Sequence, residues 1–182
     1  MKVIETPIKD LLVIEPKVFK DRRGYFFESY NKHLYEKNGI KDNFIQDNQS
    51  FSAYGVVRGL HYQLNPYAQS KLVRVIKGRI FDVAVDLRKN SPTFGQWFGV
   101  ELTQDNFRQL YIPRGFAHGF SVLSEDTIVF YKCDNYYAPD YERGIMFNDK
   151  TLNIDWELPL KDIIISEKDS KNSLFEEAEI NF

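Results

Sequence analysis

The segment Lys71–Leu87 reads KLVRVIKGRIFDVAVDL, and it decides the fold class. Before the central Gly78, two valines alternate with Arg74, and after it apolar residues recur at every second position. A period of two is typical of β-strands, because successive side chains point to opposite faces of a sheet. Gly78 and its basic neighbours supply a turn between the two runs, so the segment predicts two strands joined as a β-hairpin.

Strand-like runs separated by turn residues continue on both sides of this segment. Further strands are predicted at residues 11–15, 25–30, 44–52, 56–63, 96–102, 108–112, 119–123 and 127–134. The only predicted helix covers residues 31–38, between Asn31 and the stop at Gly39. The 15 Phe and 11 Tyr residues also favour strands. Many short strands with one short helix predict a mainly β sandwich, jelly roll or barrel.

Composition and charge narrow the class of protein further. The chain has 182 residues, 43% hydrophobic and 27% charged, without a repeat or linker, which predicts a single domain over residues 1–182. A formal net charge of −2 gives no basic surface for nucleic acid. No apolar run is long enough to cross a membrane, and the N-terminus lacks an apolar signal core. The single Cys133 cannot form an internal disulfide, which favours a cytoplasmic protein.

Polar side chains interrupt several of the predicted strands. Gln46 and Asn48 lie two residues apart and therefore share a face, which fits a solvated outer face as well as a site. His61 and Gln63 share a face for the same reason. Arg58 is expected to point away from them unless the glycine that follows it lets the strand bulge. A strand histidine such as His61 is, taken alone, more often a structural residue than a catalyst.

Two further segments combine glycine, cationic residues and histidine. Lys71 begins an otherwise apolar strand, where a lysine often serves only to discourage pairing at a sheet edge. Residues 112–120 read IPRGFAHGF, and their Pro-x-Gly-x-x-His spacing, ending at His118, matches the second motif of the cupin barrels. Metal-binding cupins also carry a His-x-His pair, where this chain has Gln63 in place of the second histidine. With only three histidines in the chain, no metal site is expected, since transition metals prefer several imidazole or thiolate ligands.

A series of motifs extends over nearly the whole chain, from about residue 6 to residue 170. They are DRRGYFFE at 21–28, QDNQS at 46–50, RGLHYQ at 58–63, KLVRV at 71–75, FDVAVDLR at 81–88, SPT at 91–93, IPRGFAHGF at 112–120, YKC at 131–133, YY at 136–137 and SEKD at 166–169. In order and spacing they resemble the dTDP-4-dehydrorhamnose 3,5-epimerases, the metal-free cupins of dTDP-L-rhamnose synthesis. The resemblance implies a cupin-type jelly-roll β-barrel with a few short peripheral helices and no cofactor. It also implies a homodimer in which the N-terminal arm, about residues 1–30, joins the partner's sheet.

The activity that the resemblance implies gives roles to four of the polar residues. It is the epimerisation at C3 and C5 of dTDP-4-keto-6-deoxy-D-glucose to dTDP-4-keto-L-rhamnose. Both protons lie α to the C4 ketone, so the reaction needs a base, an acid on the opposite face of the ring and a donor for the enolate oxygen. By the resemblance, His61 is the base and Asp169 orients it. Tyr131 is the acid and Lys71 stabilises the enolate.

The substrate-binding residues follow from the same resemblance. Cationic residues for the diphosphate are Arg23, Arg58 and Lys71; sugar or phosphate contacts are Gln46, Asn48 and His118; thymidine contacts are Phe26, Glu28 and Tyr137. The partner's arm is expected to supply Phe26 and Glu28. The chain departs from the family at Phe147, where a tryptophan is common.

Three alternatives remain open at the level of sequence. The first is an epimerase that inverts only C3 or only C5, on this or another nucleotide keto-sugar. The second is a non-catalytic cupin that binds a sugar nucleotide, which the presence of the acid and base residues disfavours. The third is a metal-dependent cupin, which Gln63 disfavours.

Overall fold

The computed structural model describes residues 1–182, and its main regular structure is a pair of β-sheets that face each other. The strands are β1 (Lys2–Glu5), β2 (Leu12–Glu15), β3 (Phe19–Asp21), β4 (Gly24–Phe26), β5 (Gln46–Ser52), β6 (Val57–Gln63), β7 (Lys71–Lys77), β8 (Arg79–Asp86), β9 (Trp97–Thr103), β10 (Gln109–Ile112), β11 (Phe116–Val122), β12 (Thr127–Cys133) and β13 (Glu142–Gly144). The first sheet has the order β1-β2-β10-β7-β12-β5 and the second the order β13-β6-β11-β8-β9, while β3 and β4 pair only with each other.

Helical structure is confined to short elements, as the sequence predicts. The helix α1 (Lys32–Lys37) begins at Asn31, whose side-chain oxygen accepts a hydrogen bond from the Leu34 N–H at 3.2 Å. Short 3₁₀ turns follow at Pro139–Tyr141, Leu160–Asp162, Asp169–Lys171 and Phe175–Glu177. The mainly β jelly roll with a few peripheral helices is therefore confirmed.

The hairpin predicted around Gly78 is wrong, although both of its strands are present. Strand β7 pairs with β10 and β12, whereas β8 pairs with β9 and β11 in the other sheet. Gly78, with φ of +85°, lies at the corner where the chain passes from one sheet to the other. Alternation along a strand records only that one face is buried, so it cannot distinguish a hairpin from a corner between two sheets.

The largest apolar cluster takes alternate residues from both sheets and fills the space between their inner faces. Its members include Val13, Val73, Val75, Ile80, Ala84, Leu110, Ile112, Phe116, Phe120, Val122 and Val129. Burial of a Val, Leu or Phe side chain of this kind contributes about 1.5–3 kcal/mol. This cluster holds the two sheets together.

The outer faces of the sheets are covered by parts of the chain outside the ladders. Residues 145–182 cover the second sheet, where Trp156 packs in a cluster with Val83 and Val85. Strand β8 is consequently buried along both faces. The segment around α1 covers the first sheet, where Tyr35 packs with Leu72.

The N-terminal residues complete the chain's own first sheet. Strand β1 pairs with β2, and β2 pairs with β10. The β3–β4 hairpin packs Tyr25 and Phe27 against Phe107, with ring centroids 4.7 and 5.3 Å apart. Exchange of this arm with a partner stays a prediction. The chain contains no helix with the length and apolar character needed to span a membrane.

The short strands β1, β3 and β13 escaped the sequence analysis. Each has only three or four residues, too few for a period of two to be recognised. Their positions are decided by the neighbouring strand that each one pairs with.

The corner at Gly78 allows a test of the fold. A Cβ at Gly78 would lie 2.5 Å from Thr127 Oγ1, whereas one at Gly39, which also has positive φ, would meet nothing within 4 Å. We expect Gly39→Ala to lower the free energy of unfolding by about 1–2 kcal/mol, the cost of the left-handed conformation. Gly78→Ala should cost clearly more, because crowding adds to the same backbone strain. Urea unfolding measures both, and equal losses would contradict the crowded corner.

Candidate active site

A bulge in β6 turns Arg58 toward the face that carries His61, although the arginine itself stays exposed. His61 pairs with His118 on β11, but Arg58 pairs with Phe120. Three residue positions along β6 therefore correspond to two along β11, so β6 contains one extra residue at this point. Residues 118 and 120 share the inner face, and their partners on β6 therefore share it too. Gly59, with φ of +114°, lies within the bulge. The bulge that the sequence analysis left open for Arg58 is present.

The two sheets supply opposite walls of one polar cavity. A space of about 370 Å³ is lined by Gln46, Asn48, His61, Tyr62, Gln63, Gln69, Lys71, Tyr131, Tyr137 and Glu142. An adjoining space of about 210 Å³ is lined by Ser50, Arg58, His61, Lys71, His118, Gly119, Phe120 and Tyr131. His61 projects from the second sheet, whereas Lys71 and Tyr131 project from the first. Most of the predicted site residues are therefore brought together.

His61 is paired with a buried carboxylate. Its Nε2 lies 2.7 Å from Asp169 Oδ1, and the Asp169 side chain is only 5% exposed. Burial acts to raise the pKa of Asp169, but hydrogen bonds and the charge of His61 outweigh it and hold this pKa below its ordinary value. A side-chain hydrogen bond from Ser166 also lowers this pKa, and the Ser166 hydroxyl accepts a hydrogen bond from the Asp169 backbone N–H at 3.0 Å. Asp169 is thus an ionised partner of His61 rather than a surface acid.

His118 forms a second pair of the same kind. Its Nε2 lies 2.7 Å from Oδ1 of Asp82, a residue with no exposed surface. Burial lowers the pKa of His118 despite the attraction of Asp82. His118 is therefore neutral near pH 7, and its other ring nitrogen, Nδ1, is left as an acceptor if Nε2 donates to Asp82.

Lys71 and Tyr131 face His61 from the other wall. Lys71 lies on a central strand between β10 and β12, so the role of an edge lysine is wrong. Its Nζ is 5.9 Å from the centroid of the Tyr131 ring. Burial lowers the pKa of Lys71 and raises that of Tyr131. A phenol with a raised pKa stays protonated at neutral pH and can act as an acid.

Amide and carboxylate groups surround the mouth of the cavity. Gln46 Nε2 donates to Asn48 Oδ1 at 3.1 Å, which confirms that these two amides share a face. The Tyr137 hydroxyl donates to Glu142 Oε2 at 2.6 Å. The same carboxylate oxygen is in contact with Lys168. Burial works to raise the pKa of Glu142, but Lys168 and Tyr137 lower it overall.

Glu142 and Lys168 are lining or mouth residues that the sequence analysis missed. Glu142 lies on a three-residue strand after a proline turn, and no periodic pattern marks it. Lys168 lies within the SEKD motif at 166–169, so a signal for it was present beside Asp169.

Three predicted binding residues line neither space within a single chain. Arg23 is exposed and forms an ion pair with Asp21 at 2.7 Å. Phe26 is also exposed, and Glu28 Oε1 accepts a hydrogen bond from Asn31 Nδ2 at 3.1 Å. Phe147 packs in the cluster that covers the second sheet and lines neither space.

Gln63 is engaged in hydrogen bonds to the backbone. Its side chain donates to the carbonyl oxygens of Tyr67 and Tyr136 and accepts from the Ala138 N–H. No three His, Cys, Asp or Glu side chains are grouped so that they could hold a metal ion. Another cavity, of about 970 Å³, lies by the N-terminal segment and contains none of the predicted acid–base residues. Its arginines, Arg88 and Arg114, are already paired with aspartates.

A jelly roll that sets a carboxylate-paired histidine opposite a half-buried tyrosine has the architecture of an acid–base enzyme acting on a small ligand. The family model described as dTDP-4-dehydrorhamnose 3,5-epimerase matches residues 5–177. The chain belongs to the dTDP-4-dehydrorhamnose 3,5-epimerase family, whose activity is that of an isomerase.

Individual relatives are similar over almost their entire length. The dTDP-4-dehydrorhamnose 3,5-epimerase of Shigella flexneri is 54% identical over 180 residues, which cover 98% of each chain. The crystal structure of the enzyme of that name from Elizabethkingia anophelis NUHP1 has a TM-score of 0.92 at 53% identity, covering 97% of each chain. The dTDP-6-deoxy-D-glucose-3,5-epimerase of Legionella pneumophila, solved in complex with dTDP-4-keto-L-rhamnose, has a TM-score of 0.93 at 50% identity. That match covers 97% of this chain and 93% of the other.

The pairing of Asp169 with His61 predicts how stability changes with pH. Because the folded pKa of Asp169 lies below its ordinary value of 3.8, its carboxylate stabilises the fold fully above the unfolded pKa. That contribution is lost as the pH falls through the folded pKa. We expect Asp169→Asn to be less stable than the wild type near neutral pH and the difference to shrink below about pH 4. Urea unfolding across this range measures it, and a difference that grows in acid would contradict the assignment.

Proposed function

We propose that this protein converts dTDP-4-keto-6-deoxy-D-glucose to dTDP-4-keto-L-rhamnose by inverting C3 and C5 through enolate intermediates. The observation that carries the proposal is the position of His61 and Tyr131 on opposite walls of one cavity. Inversion requires that a proton leave from one face of the sugar ring and return to the other. A base and an acid that project from two facing sheets meet this requirement.

His61 is the base in this proposal. If its Nε2–H donates to Asp169, Nδ1 carries the free lone pair that accepts the α-proton. Proton transfer produces an imidazolium, and the negative charge of Asp169 stabilises it. The low pKa of Asp169 supports this role, since a carboxylate that stays ionised does not take the proton from the imidazolium and keeps its hydrogen bond to the imidazole ring.

Lys71 stabilises the negative charge that develops on the C4 oxygen. It is half-buried on the central strand β7, where an ammonium group interacts more strongly with an oxyanion than it would in water. Its fixed position between β10 and β12 keeps the cost of reorganisation low during the reaction.

Tyr131 returns the proton on the face opposite His61. Burial raises the pKa of its hydroxyl, so the group is protonated at neutral pH and ready to donate. The tyrosinate that forms lies on the same wall as Lys71, whose positive charge stabilises it.

The remaining cavity residues bind the sugar nucleotide. Arg58 offers a guanidinium group for the diphosphate, with Nε held by Ser52 Oγ at 3.0 Å. A neutral His118 with a free acceptor nitrogen suits a sugar hydroxyl better than a phosphate oxygen. Gln46 and Asn48 contact the sugar or phosphate, and Tyr137 contacts the thymidine.

The proposal includes a homodimer of single-domain chains, 1–182, in the cytoplasm. Arg23, Phe26 and Glu28 line neither of the two spaces of the site within their own chain, which supports a role for them in a partner's site. The exposed aromatic side chains of the β3–β4 hairpin, Phe19, Tyr25 and Phe26, are suited to such a contact. A free buried thiol at Cys133 fits a reducing compartment.

Proton NMR of dTDP-4-keto-6-deoxy-D-glucose with the protein in D₂O tests the function. We expect deuterium at both C3 and C5 and the appearance of the L-rhamno product. His61→Ala should abolish exchange at both carbons, because the proposal assigns the removal of both α-protons to His61; exchange that persists in this variant would point to the second histidine–carboxylate pair, His118 with Asp82. His33→Ala, the same change at an exposed position on α1, is the matched control and should behave as the wild type.

The other outcomes separate the alternatives. Exchange at a single carbon would mean an enzyme that inverts only one centre. Absence of exchange in the wild type would overturn this substrate, and binding of the nucleotide without exchange would favour a non-catalytic cupin.

Tyr131→Phe tests the acid independently of the base. The variant keeps His61, so the α-protons should still be removed and replaced by deuterium. Reprotonation from the far face should slow by roughly 10²–10⁴-fold, the usual contribution of a positioned acid. The same NMR experiment would then show α-protons replaced by deuterium faster than the carbon centres are inverted. Product formation at the wild-type rate would rule out Tyr131 as the donor.

A further inference from the structure

The loop 135–138 carries Tyr137 to the mouth of the cavity without any support from a sheet. The backbone N–H and C=O groups of Asn135, Tyr136 and Tyr137 form no hydrogen bond to another backbone group. Tyr137 itself is half-exposed, and its hydroxyl is tied only to Glu142. The conformation of this loop must therefore come from side chains.

Three glutamine side chains bind the four residues of the loop one after another. Gln69 Nε2 donates to the Asn135 carbonyl at 2.8 Å. Gln63 Nε2 donates to the Tyr136 carbonyl at 3.2 Å, and Gln63 Oε1 accepts from the Ala138 N–H at 2.7 Å. Gln46 Oε1 accepts from the Tyr137 N–H at 3.1 Å.

Gln63 is the central member of this set. Its side chain binds the residues on both sides of Tyr137, and it also donates to the Tyr67 carbonyl at 2.6 Å, so the amide uses both of its polar atoms. Gln63 is 5% exposed, which makes these hydrogen bonds costly to lose. Its cross-strand partner is Glu142, the residue that holds the Tyr137 hydroxyl. Gln63 and its neighbour on β13 thus fix both ends of the tyrosine.

We propose that Gln63 is a positioning residue that acts through Tyr137 and preorganises the mouth of the site for the sugar nucleotide. The inference rests on the proposed function, in which Tyr137 contacts the nucleotide. A loop that is already ordered loses little conformational freedom when the ligand binds. Gln63 touches no reacting atom in this scheme, so its removal affects binding and leaves the proton transfers at His61 and Tyr131 in place.

Gln63→Met tests the proposal, because methionine has a similar length and cannot form these hydrogen bonds. With the activity followed by NMR, we expect KM for the keto-sugar nucleotide to rise about tenfold while kcat changes less than about threefold. Gln96→Met, the same change at an exposed position, is the matched control and should leave both constants unaltered. Gln69→Met removes a single hydrogen bond to the loop and should raise KM by a smaller factor.

A double-mutant cycle with Tyr137→Ala separates positioning from a general structural role. If Gln63 acts through the tyrosine, Gln63→Met should change KM by less than about twofold once Tyr137 is gone. An equal rise in KM in both backgrounds would overturn the proposal. So would a loss of thermal stability with no change in KM, for either Gln63→Met or Gln69→Met. A wild-type protein that exchanges no α-protons would sink the proposed function itself, and this inference with it.

Discussion

The packing of the two inner sheet faces against each other is the interaction on which the rest of the structure depends. Val73 and Val75 of the first sheet and Phe120 of the second belong to the same buried cluster. That cluster continues directly into the polar cavity, because Lys71 precedes Val73 on the same face and His118 precedes Phe120. The apolar core therefore fixes the separation and register of the two walls of the cavity, and the site needs no separate scaffold.

Burial of the polar end of the interior shifts the pKa values of the ionisable groups that line the cavity. Desolvation is the largest cause that raises the pKa of Tyr131 and lowers the pKa values of Lys71 and His118. Asp169 is the exception, since its hydrogen bonds outweigh its burial. A neutral phenol and an ionised carboxylate result from the same space, because each group has different partners within it.

The parts of the site that lie within one strand could be predicted from the sequence. Gln46 and Asn48 share a face because of the period of two, and the structure bears this out. The direction of Arg58 could be stated only as a condition, because a bulge depends on pairing with β11. Glu142 gave no signal at all, since its importance comes from contacts with Tyr137 and Lys168, residues that reach it from other segments.

By itself the sequence determined where the longer strands lie, where the one α-helix begins and, through its resemblance to a family, which residues to regard as acid and base. These features are local or are marked by motifs, so each can be recognised without its neighbours in space. Only the tertiary structure decided that β7 and β8 lie in different sheets, that Lys71 is on a central strand and that Asp169 reaches His61 across 108 positions of sequence. Those facts depend on which long-range strand pairings bury the inner faces of both sheets at once. The period of two in the sequence is the same for every strand pairing that buries the same residues, so it cannot distinguish one pairing from another.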